Sequence, residues 1–331
     1  MTGGSGGGTS KQKRFWKDVH VRKVDGKLSN TRTSMPNLIL RHVIDVFDLV
    51  EFCQLILVPY IEGYQIHLDS RPIRTPSKKV LTVPHHKPHL ASAIALEWDL
   101  LVSAQQALRQ HLIPLTSLVS RALEIAEEDN TSPSAGVGEI RSNIVKTVMR
   151  YLDTDSLLCW APEPVPDPPG YETHVGRTES LRSIQKRTAE EIIGYLTERV
   201  WPGLKIVPVL DEGSILPKSQ PQMTRDVIQG WVSGLPAFEL AGLERAVLAG
   251  KGLLGATRLL VEWSTELAYL RDGVAEEKKF GIEEAARAAN LEVDFQTKMW
   301  GEVEDTHDVN KEDLRRQLGS VILLVSGKNA R

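Results

Sequence analysis

The sequence predicts an α+β protein, in which a small β-rich N-terminal domain precedes a larger α-helical domain. Near the N-terminus apolar and polar residues alternate, as in Val19, His20 and Val21, which is the period of a strand. From Pro88 onward apolar residues recur three and four positions apart, which is the period of a helix. We therefore divide the chain into a disordered Gly/Ser-rich leader (1–12), a β-rich domain (13–87) and a helical domain (88–327).

The elements follow from these periods and from the turn residues between them. Three strands joined by polar turns are expected to form a β-meander, at 16–24, 63–75 and 80–83. Apolar residues in 252–271 keep a 3,4 spacing, which fits either a coiled-coil seam or packing inside a helical domain, and the short run favours packing. Helices are expected at 88–111, 114–129, 139–151, 178–200, 221–233, 236–250, 252–271 and 281–299, with a stiff Pro-rich loop at 162–170.

Composition excludes several classes of protein. The 331 residues carry 40 Lys+Arg against 43 Asp+Glu, so the chain lacks the positive field of a non-specific nucleic-acid binder. Two cysteines cannot form a disulfide framework or a four-thiolate zinc site, and they fit a reducing compartment. Leu38–Pro59 is long enough to span a membrane, but four charged residues within it would cost more than its apolar residues recover. We expect no membrane insertion.

Two local motifs, one rich in glycine and one in histidine, have the residue types of ligand sites. Gly250–Gly255 matches G-x-G-x-x-G, but helical residues precede it, so we expect a joint between two helices and no dinucleotide. His85, His86 and His89 could hold a metal, but no Cys or acidic partner lies close in sequence, and a solvated loop is the preferred interpretation. We therefore expect neither a cofactor nor a metal.

Two acid-rich segments are the most unusual parts of the chain. Asp153 and Asp155 lie beside an apolar run, and Asp155 is placed as an N-cap. Further along, Glu302–Asp308 packs four carboxylates around His307. The acids of these two segments are the basis of one alternative, a soluble enzyme that uses scattered carboxylates.

The second acid-rich segment has three interpretations. Composition alone favours a solvated acidic turn between two helices. A metal site built from Asp305, His307 and Asp308 is chemically feasible, but no further ligand is indicated. An acidic docking surface for a basic partner is the more natural of the two specific interpretations, with Trp300 beside it as an aromatic anchor.

Together with other stretches, these segments resemble the mitochondrial chaperones that bind the α subunit of the ATP synthase catalytic head (F1) during assembly, in their fungal form. The resemblance implies a non-enzymatic chaperone of the mitochondrial matrix that covers the apolar β-subunit interface of the unassembled α subunit. We expect it to be a monomer when free. The resembling stretches are KRFWKDVHV (13–21), GYQIHLDSRPIRTPSK (63–78), AIALEWD (93–99), IPLTSL (113–118), YLDTDSLLCW (151–160), GWVSGLPAFELAGLERAVLA (230–249) and WGEVEDTHDVNKEDLRRQLGSV (300–321).

The same resemblance implies that the client binds to the helical domain. Gln296 and Trp300 are four residues apart and share a helix face, with Glu292 one turn earlier. The partner-binding candidates are Glu292, Gln296, Trp300, Glu302, Glu304 and Asp305.

Two features depart from the family pattern. The import segment of its members is not visible, and Gly26–Ile61 has no counterpart. We hypothesise that Gly26–Ile61 is a translated intron. Gly26–Leu28 can be encoded GGT-AAG-TTG, which contains the donor GTAAGT, and Ile61-Glu62 can be encoded ATA-GAG, which contains an acceptor AG. Splicing would join Asp25 to Glu62 and create an Asp-Glu-Gly hairpin turn. The alternative is a lineage-specific insertion that forms an amphipathic helix.

Overall fold

The computed structural model describes residues 13–24, 63–131, 138–163, 179–210, 217–271, 279–301 and 306–328. The predictions for 1–12, for 26–61 and for most of 162–170 lie outside these ranges. The described elements confirm the α+β class. The strands are β1 (Val19–Val24), β2 (Gly63–Leu68), β3 (Arg71–Pro72) and β4 (Thr82–Pro84), and the helices are α1 (Pro88–Asp99), α2 (Pro114–Thr131), α3 (Glu139–Arg150), α4 (Leu181–Arg199), α5 (Gln222–Ser233), α6 (Ala237–Gly250), α7 (Leu253–Trp263), α8 (Ile282–Ala289), α9 (Leu291–Trp300) and α10 (Thr306–Val325).

The four strands form one antiparallel sheet around β2. β1 pairs along one edge of β2 from Val19↔Leu68 to Val24↔Gly63, while β3 and β4 share the other edge. The predicted strand 63–75 is in fact two strands, because a turn at Asp69 interrupts it. Asp69 has a φ of +53°, and its carboxylate accepts hydrogen bonds from the backbone of Lys17 (3.1 Å) and Asp18 (2.9 Å).

Helix α1 packs on this sheet and connects it to the helical part. Trp16 is buried between them and meets the ring of Trp98 edge-on at 5.6 Å. The Glu97 carboxylate accepts hydrogen bonds from the backbone of Leu115 at 2.6 Å and of Thr116 at 3.1 Å, so α1 caps the first turn of α2. The stretch AIALEWD (93–99), one of those that resemble the assembly-chaperone family, therefore has a structural role in this protein.

The helical part is arranged around α6, which contacts α2, α3, α7 and α10. At Gly242 a Cβ atom would lie 3.0 Å from the Val325 side chain, so this glycine lets α6 and α10 approach closely. One continuous apolar cluster extends from the sheet through these helices. Leu253, Ala256 and Leu260 of α7 are buried in it, which is the interior packing expected for 252–271.

Three predicted helices are shorter than expected. The helix from Pro88 ends at Asp99, and two 3₁₀ turns replace its predicted second half. The helix from 252 ends at Trp263, before a 3₁₀ turn at Ala268–Arg271. The helix predicted at 281–299 is interrupted at Asn290, whose backbone (φ −110°, ψ 14°) leaves the helical region and separates α8 from α9.

A membrane-spanning helix is not found among the described residues, none of whose helices combines sufficient length with sufficient apolarity. Leu38–Pro59, for which we expect no membrane insertion, lies outside these residues.

Candidate functional site

Helix α9 carries the predicted partner-binding residues that the structure describes. Glu292 and Asp294 lie in its first turn and Lys298 in its last, which complements the helix dipole. The helix ends at Gly301, whose φ of +92° is a conformation that glycine adopts without a Cβ penalty. None of the ten residues of α9 is buried. Five of them, at 292, 293 and 298–300, are exposed and are therefore available to a partner.

Glu292, Gln296 and Trp300 form a single stripe along α9, which we call the outer stripe. The Gln296 amide donates a hydrogen bond to the Glu292 carboxylate at 3.1 Å, as residues four apart on one face can. The Trp300 side chain at the end of the stripe is 80% exposed. The predicted shared face is thus present in the structure. Its contact with a client stays a prediction.

Beside the outer stripe, α9 also forms one wall of a surface cleft, which we did not predict from the sequence. The cleft has a volume of about 770 Å³ and lies between α9 and the beginning of α4. Its apolar lining includes Leu291, Phe295 and Met299, which recur every four residues, together with Ile184. The four-residue spacing of Leu291, Phe295 and Met299 is visible in the sequence and is the signal that could have predicted this apolar face of α9.

The remaining predicted partner-binding residues lie outside the described part of the chain. Glu302, Glu304 and Asp305 fall between Gly301 and the beginning of α10 in sequence. Their place in a docking surface therefore stays a prediction.

Two carboxylates of the enzymatic alternative, Asp153 and Asp155, have structural partners. Asp153 forms an ion pair with Arg225. Asp155 is fully buried and accepts three backbone hydrogen bonds, from Leu157, Leu253 and Leu254, at 2.6–3.0 Å. The predicted N-cap role of Asp155 is confirmed, and the same carboxylate also caps α7.

Burial dominates the ionisation of Asp155. It raises the pKa of this carboxyl to about 6, although the three N–H donors act in the opposite direction. Full burial and three backbone N–H donors are what a carboxylate that caps two elements requires. The Asp155 carboxyl is therefore part of the packing of the protein.

The glycine motif is a joint between helices, and the three histidines lie in the turn before α1 and in its first turn, where His85 and His89 are exposed. Gly250–Gly255 contains the joint between α6 and α7, with Lys251 in the left-handed conformation at φ +55°, as the helix-joint interpretation predicts. Over the residues that can be described, no three His, Cys, Asp or Glu side chains come together in a group suited to a metal ion.

Comparisons with known proteins agree with this fold and with the resembling stretches. The family model described as the ATP12 chaperone protein matches residues 53–197. The expectation that Gly26–Ile61 has no counterpart in the family is therefore wrong for residues 53–61, which this match includes. The chain is 32% identical over 259 residues to "Protein atp12, mitochondrial" of Schizosaccharomyces pombe, covering 78% of this chain and 76% of that protein. It is also 32% identical over 264 residues to "Protein ATP12, mitochondrial" of Saccharomyces cerevisiae, covering 76% of this chain and 75% of that protein.

Solved structures support the fold. The crystal structure of Atp12 from Paracoccus denitrificans matches with a TM-score of 0.55 and 20% identity, covering 95% of this chain and 99% of that one. A chaperone-like protein of Agrobacterium tumefaciens matches with a TM-score of 0.56 at the same identity, covering 95% of this chain and 85% of that one. Because both fungal relatives are named mitochondrial, the expected mitochondrial localisation agrees with them. The chain belongs to the ATP12 chaperone family, the ATP synthase assembly chaperones that its sequence resembles.

Proposed function

We propose that this chaperone binds the unassembled F1 α subunit in the mitochondrial matrix, shields its β-subunit interface and promotes F1 assembly without catalysing a reaction. The observation that carries this proposal is the exposure of α9. Trp300 is 80% exposed, and Val293 and Met299 are also exposed on the same ten-residue helix. Exposed apolar side chains grouped in this way are typical of a protein–protein interaction site.

The chemistry of the outer stripe fits a protein client. Tryptophan is the residue most enriched among interface residues that contribute strongly to binding, because it removes a large apolar area from water and can still donate a hydrogen bond. Glu292 and the half-buried Gln296 provide polar contacts next to it. The resulting surface is part apolar and part acidic, which suits a complex that must later be released to the β subunit.

The cleft beside the stripe adds a second docking feature. Its apolar wall is formed by Leu291, Phe295 and Met299. Basic residues outnumber acidic ones in its lining even though Arg187 is ion-paired with Glu179; they are Arg187, Arg287, Lys298 and Lys311, against Glu179 and Asp294. A client side chain that is apolar with a carboxylate nearby would fit this chemistry. We propose that the client contacts the outer stripe and also inserts a side chain into the cleft, since the two features lie on neighbouring faces of α9.

The acids that follow α9 in sequence extend the proposal. Glu302, Glu304 and Asp305 would add negative charge beside Trp300, which favours a basic patch on the client and would increase the rate of association. By contrast, Asp155 is a buried cap and Asp153 is ion-paired with Arg225, which supports a chaperone over an enzyme built on these two carboxylates.

A capture experiment tests this proposal directly. The tagged protein is recovered from mitochondria that cannot make the β subunit, and the expected co-purifying protein is the free α subunit. Trp300→Ala is expected to lose at least about 90% of the captured α subunit, because loss of a central aromatic anchor commonly weakens binding tenfold or more. Capture of no α subunit by a demonstrably folded protein would contradict the proposal.

A matched control separates the stripe from general surface hydrophobicity. Tyr269 is also an exposed aromatic residue, at 64%, but it lies in the 3₁₀ turn after α7. Tyr269→Ala should leave α-subunit capture unchanged. If both variants reduced capture equally, the outer stripe would not be the binding site.

A further inference from the structure

The pairing of β1 with β2 determines how short the connection between these two strands can be. Six consecutive pairs run without a bulge from Val19↔Leu68 to Val24↔Gly63. Paired residues in an antiparallel sheet lie only about 4.5–5.5 Å apart at their Cα atoms. Val24 and Gly63 therefore close one end of the ladder at a separation that two residues can bridge.

We propose that the functional protein lacks Gly26–Ile61, because these 36 codons are an intron retained in the coding sequence, and that Asp25 is followed directly by Glu62. This joins Val24 to Gly63 through two residues, which is the commonest length of a β-hairpin loop. The splice positions come from codons that the amino acids permit, whereas the closing pair comes from the strand register.

The length of the resulting loop agrees with the register, whereas only one of its two residues is typical of such loops. In Val24-Asp25-Glu62-Gly63 both central residues are polar; Asp25 is common in two-residue hairpin turns, but Glu62 stands where they prefer glycine. Gly63 is required by the sheet itself, because a Cβ atom there would lie 2.3 Å from the carbonyl oxygen of Val83.

The sheet leaves no free edge on β2 for a further strand. One edge is paired with β1, and the other is paired with β4 through Gly63–Gln65 and with β3 through His67 and Leu68. The ATP12 family model begins its match at residue 53, so its first nine matched positions, 53–61, belong to the segment that we propose to be absent and stand directly before Glu62 and β2 in sequence. The described strand 19–24 already holds the position beside β2 that such a preceding segment would take.

A shift of one residue would break this agreement. If the junction removed one residue more, a single residue would have to connect Val24 to Gly63, and the pairing would have to slip. A slip by one residue turns every side chain of a strand to the opposite face. Val19 and Val21, which are half-buried against the core, would then change places with exposed His20 and Arg22.

Mass spectrometry of the protein from its own mitochondria tests the proposal. After trypsin digestion, the spliced form yields the junction peptide VDEGYQIHLDSRPIR, which joins 24–25 to 62–74, whereas the full-length form yields TSMPNLILR (33–41). We expect the junction peptide to exceed the second peptide at least tenfold, with the same ratio in messenger RNA sequenced across this region. Equal or greater abundance of TSMPNLILR would overturn the proposal and establish a genuine insertion.

A folding comparison tests the structural half of the argument separately. Three forms are expressed: the full chain, a form lacking 26–61, and a matched control lacking 25–61, which leaves one residue between Val24 and Gly63 without creating an Asp-Gly turn. The form lacking 26–61 should have the highest Tm, several degrees above that of the control, because only it leaves two residues between Val24 and Gly63. A control as stable as the form lacking 26–61 would overturn the claim that the register requires this junction.

Discussion

Asp155 accepts a 2.6 Å hydrogen bond from the backbone N–H of Leu253, a residue 98 positions later in the chain. The same carboxylate binds the next N–H of α7, at Leu254, and the N–H of Leu157 in its own loop. A single side chain thus caps two elements and joins the loop after α3 to the centre of the helical part. The acidic residue that the sequence marked as unusual is a structural connection.

Replacement of this cap should be costly. Asp155→Ala leaves three buried N–H donors without an acceptor, and we expect the free energy of unfolding to fall by about 2–4 kcal/mol. Urea denaturation followed by circular dichroism measures this change. Asp99→Ala is the control, because Asp99 is exposed and forms only a surface ion pair with Arg14, which is worth less than about 1 kcal/mol. Equal losses in both variants would contradict the capping role of Asp155.

Glu97 should make the stability of the fold depend on pH. Burial raises the pKa of its carboxyl to about 7, although hydrogen bonds from Leu115 and Thr116 act against this shift. The folded chain therefore binds this proton more tightly than the unfolded chain, and the stabilisation present at low pH is lost as the pH rises through about 7. We expect the free energy of unfolding to be higher at pH 5 than at pH 8, by on the order of 2 kcal/mol from this group.

The variant Glu97→Gln isolates that contribution. It cannot titrate, so the difference in unfolding free energy between the original protein and the variant should change between pH 5 and pH 8. Asp155, whose pKa is also raised, is present in both proteins and cancels in this difference. A difference that stays constant across this range would show that Glu97 does not have a raised pKa.

Two glycines should respond in opposite ways to alanine. At Gly63 the added Cβ atom would lie 2.3 Å from the Val83 carbonyl oxygen, so Gly63→Ala should weaken the β2–β4 pairing and lower stability by about 1–3 kcal/mol. At the exposed Gly194, inside α4, nothing lies within 4 Å of the added Cβ atom. Gly194→Ala should raise stability by about 0.5–1 kcal/mol, because alanine favours the helix. Thermal unfolding measures both changes, and a stabilising Gly63→Ala would refute the close approach.

Much of the architecture was accessible from residue periodicity. Alternation predicted β1 with Val19 and Val21 on one face, and the structure packs that face against the core. The 3,4 spacing predicted the helices that follow. The shortening of α1 was not accessible in this way, because it depends on distant contacts. After α1 the Val102 N–H binds the Gln106 side chain at 2.8 Å, and Ser103 forms a bridge with Lys13. Apolar spacing continues through this region and carries no information about such contacts.

The break between α8 and α9 was equally hidden. It occurs at Asn290 without a glycine or proline, and the backbone hydrogen bonds resume at once, since the Asp294 N–H binds the Asn290 carbonyl at 2.8 Å. The outer stripe was nevertheless predictable, because Glu292, Gln296 and Trp300 all fall on the second helix. The cleft was missed because its other wall, from α4, is more than 100 residues distant in sequence.

The most direct test of the account is a calorimetric titration of the purified protein with purified F1 α subunit and, separately, with β subunit. We predict saturable binding of the α subunit at one to one and no binding of the β subunit, with affinity for α reduced at least tenfold by Trp300→Ala. Absence of α-subunit binding by the folded protein, or equal binding of both subunits, would contradict the proposed client.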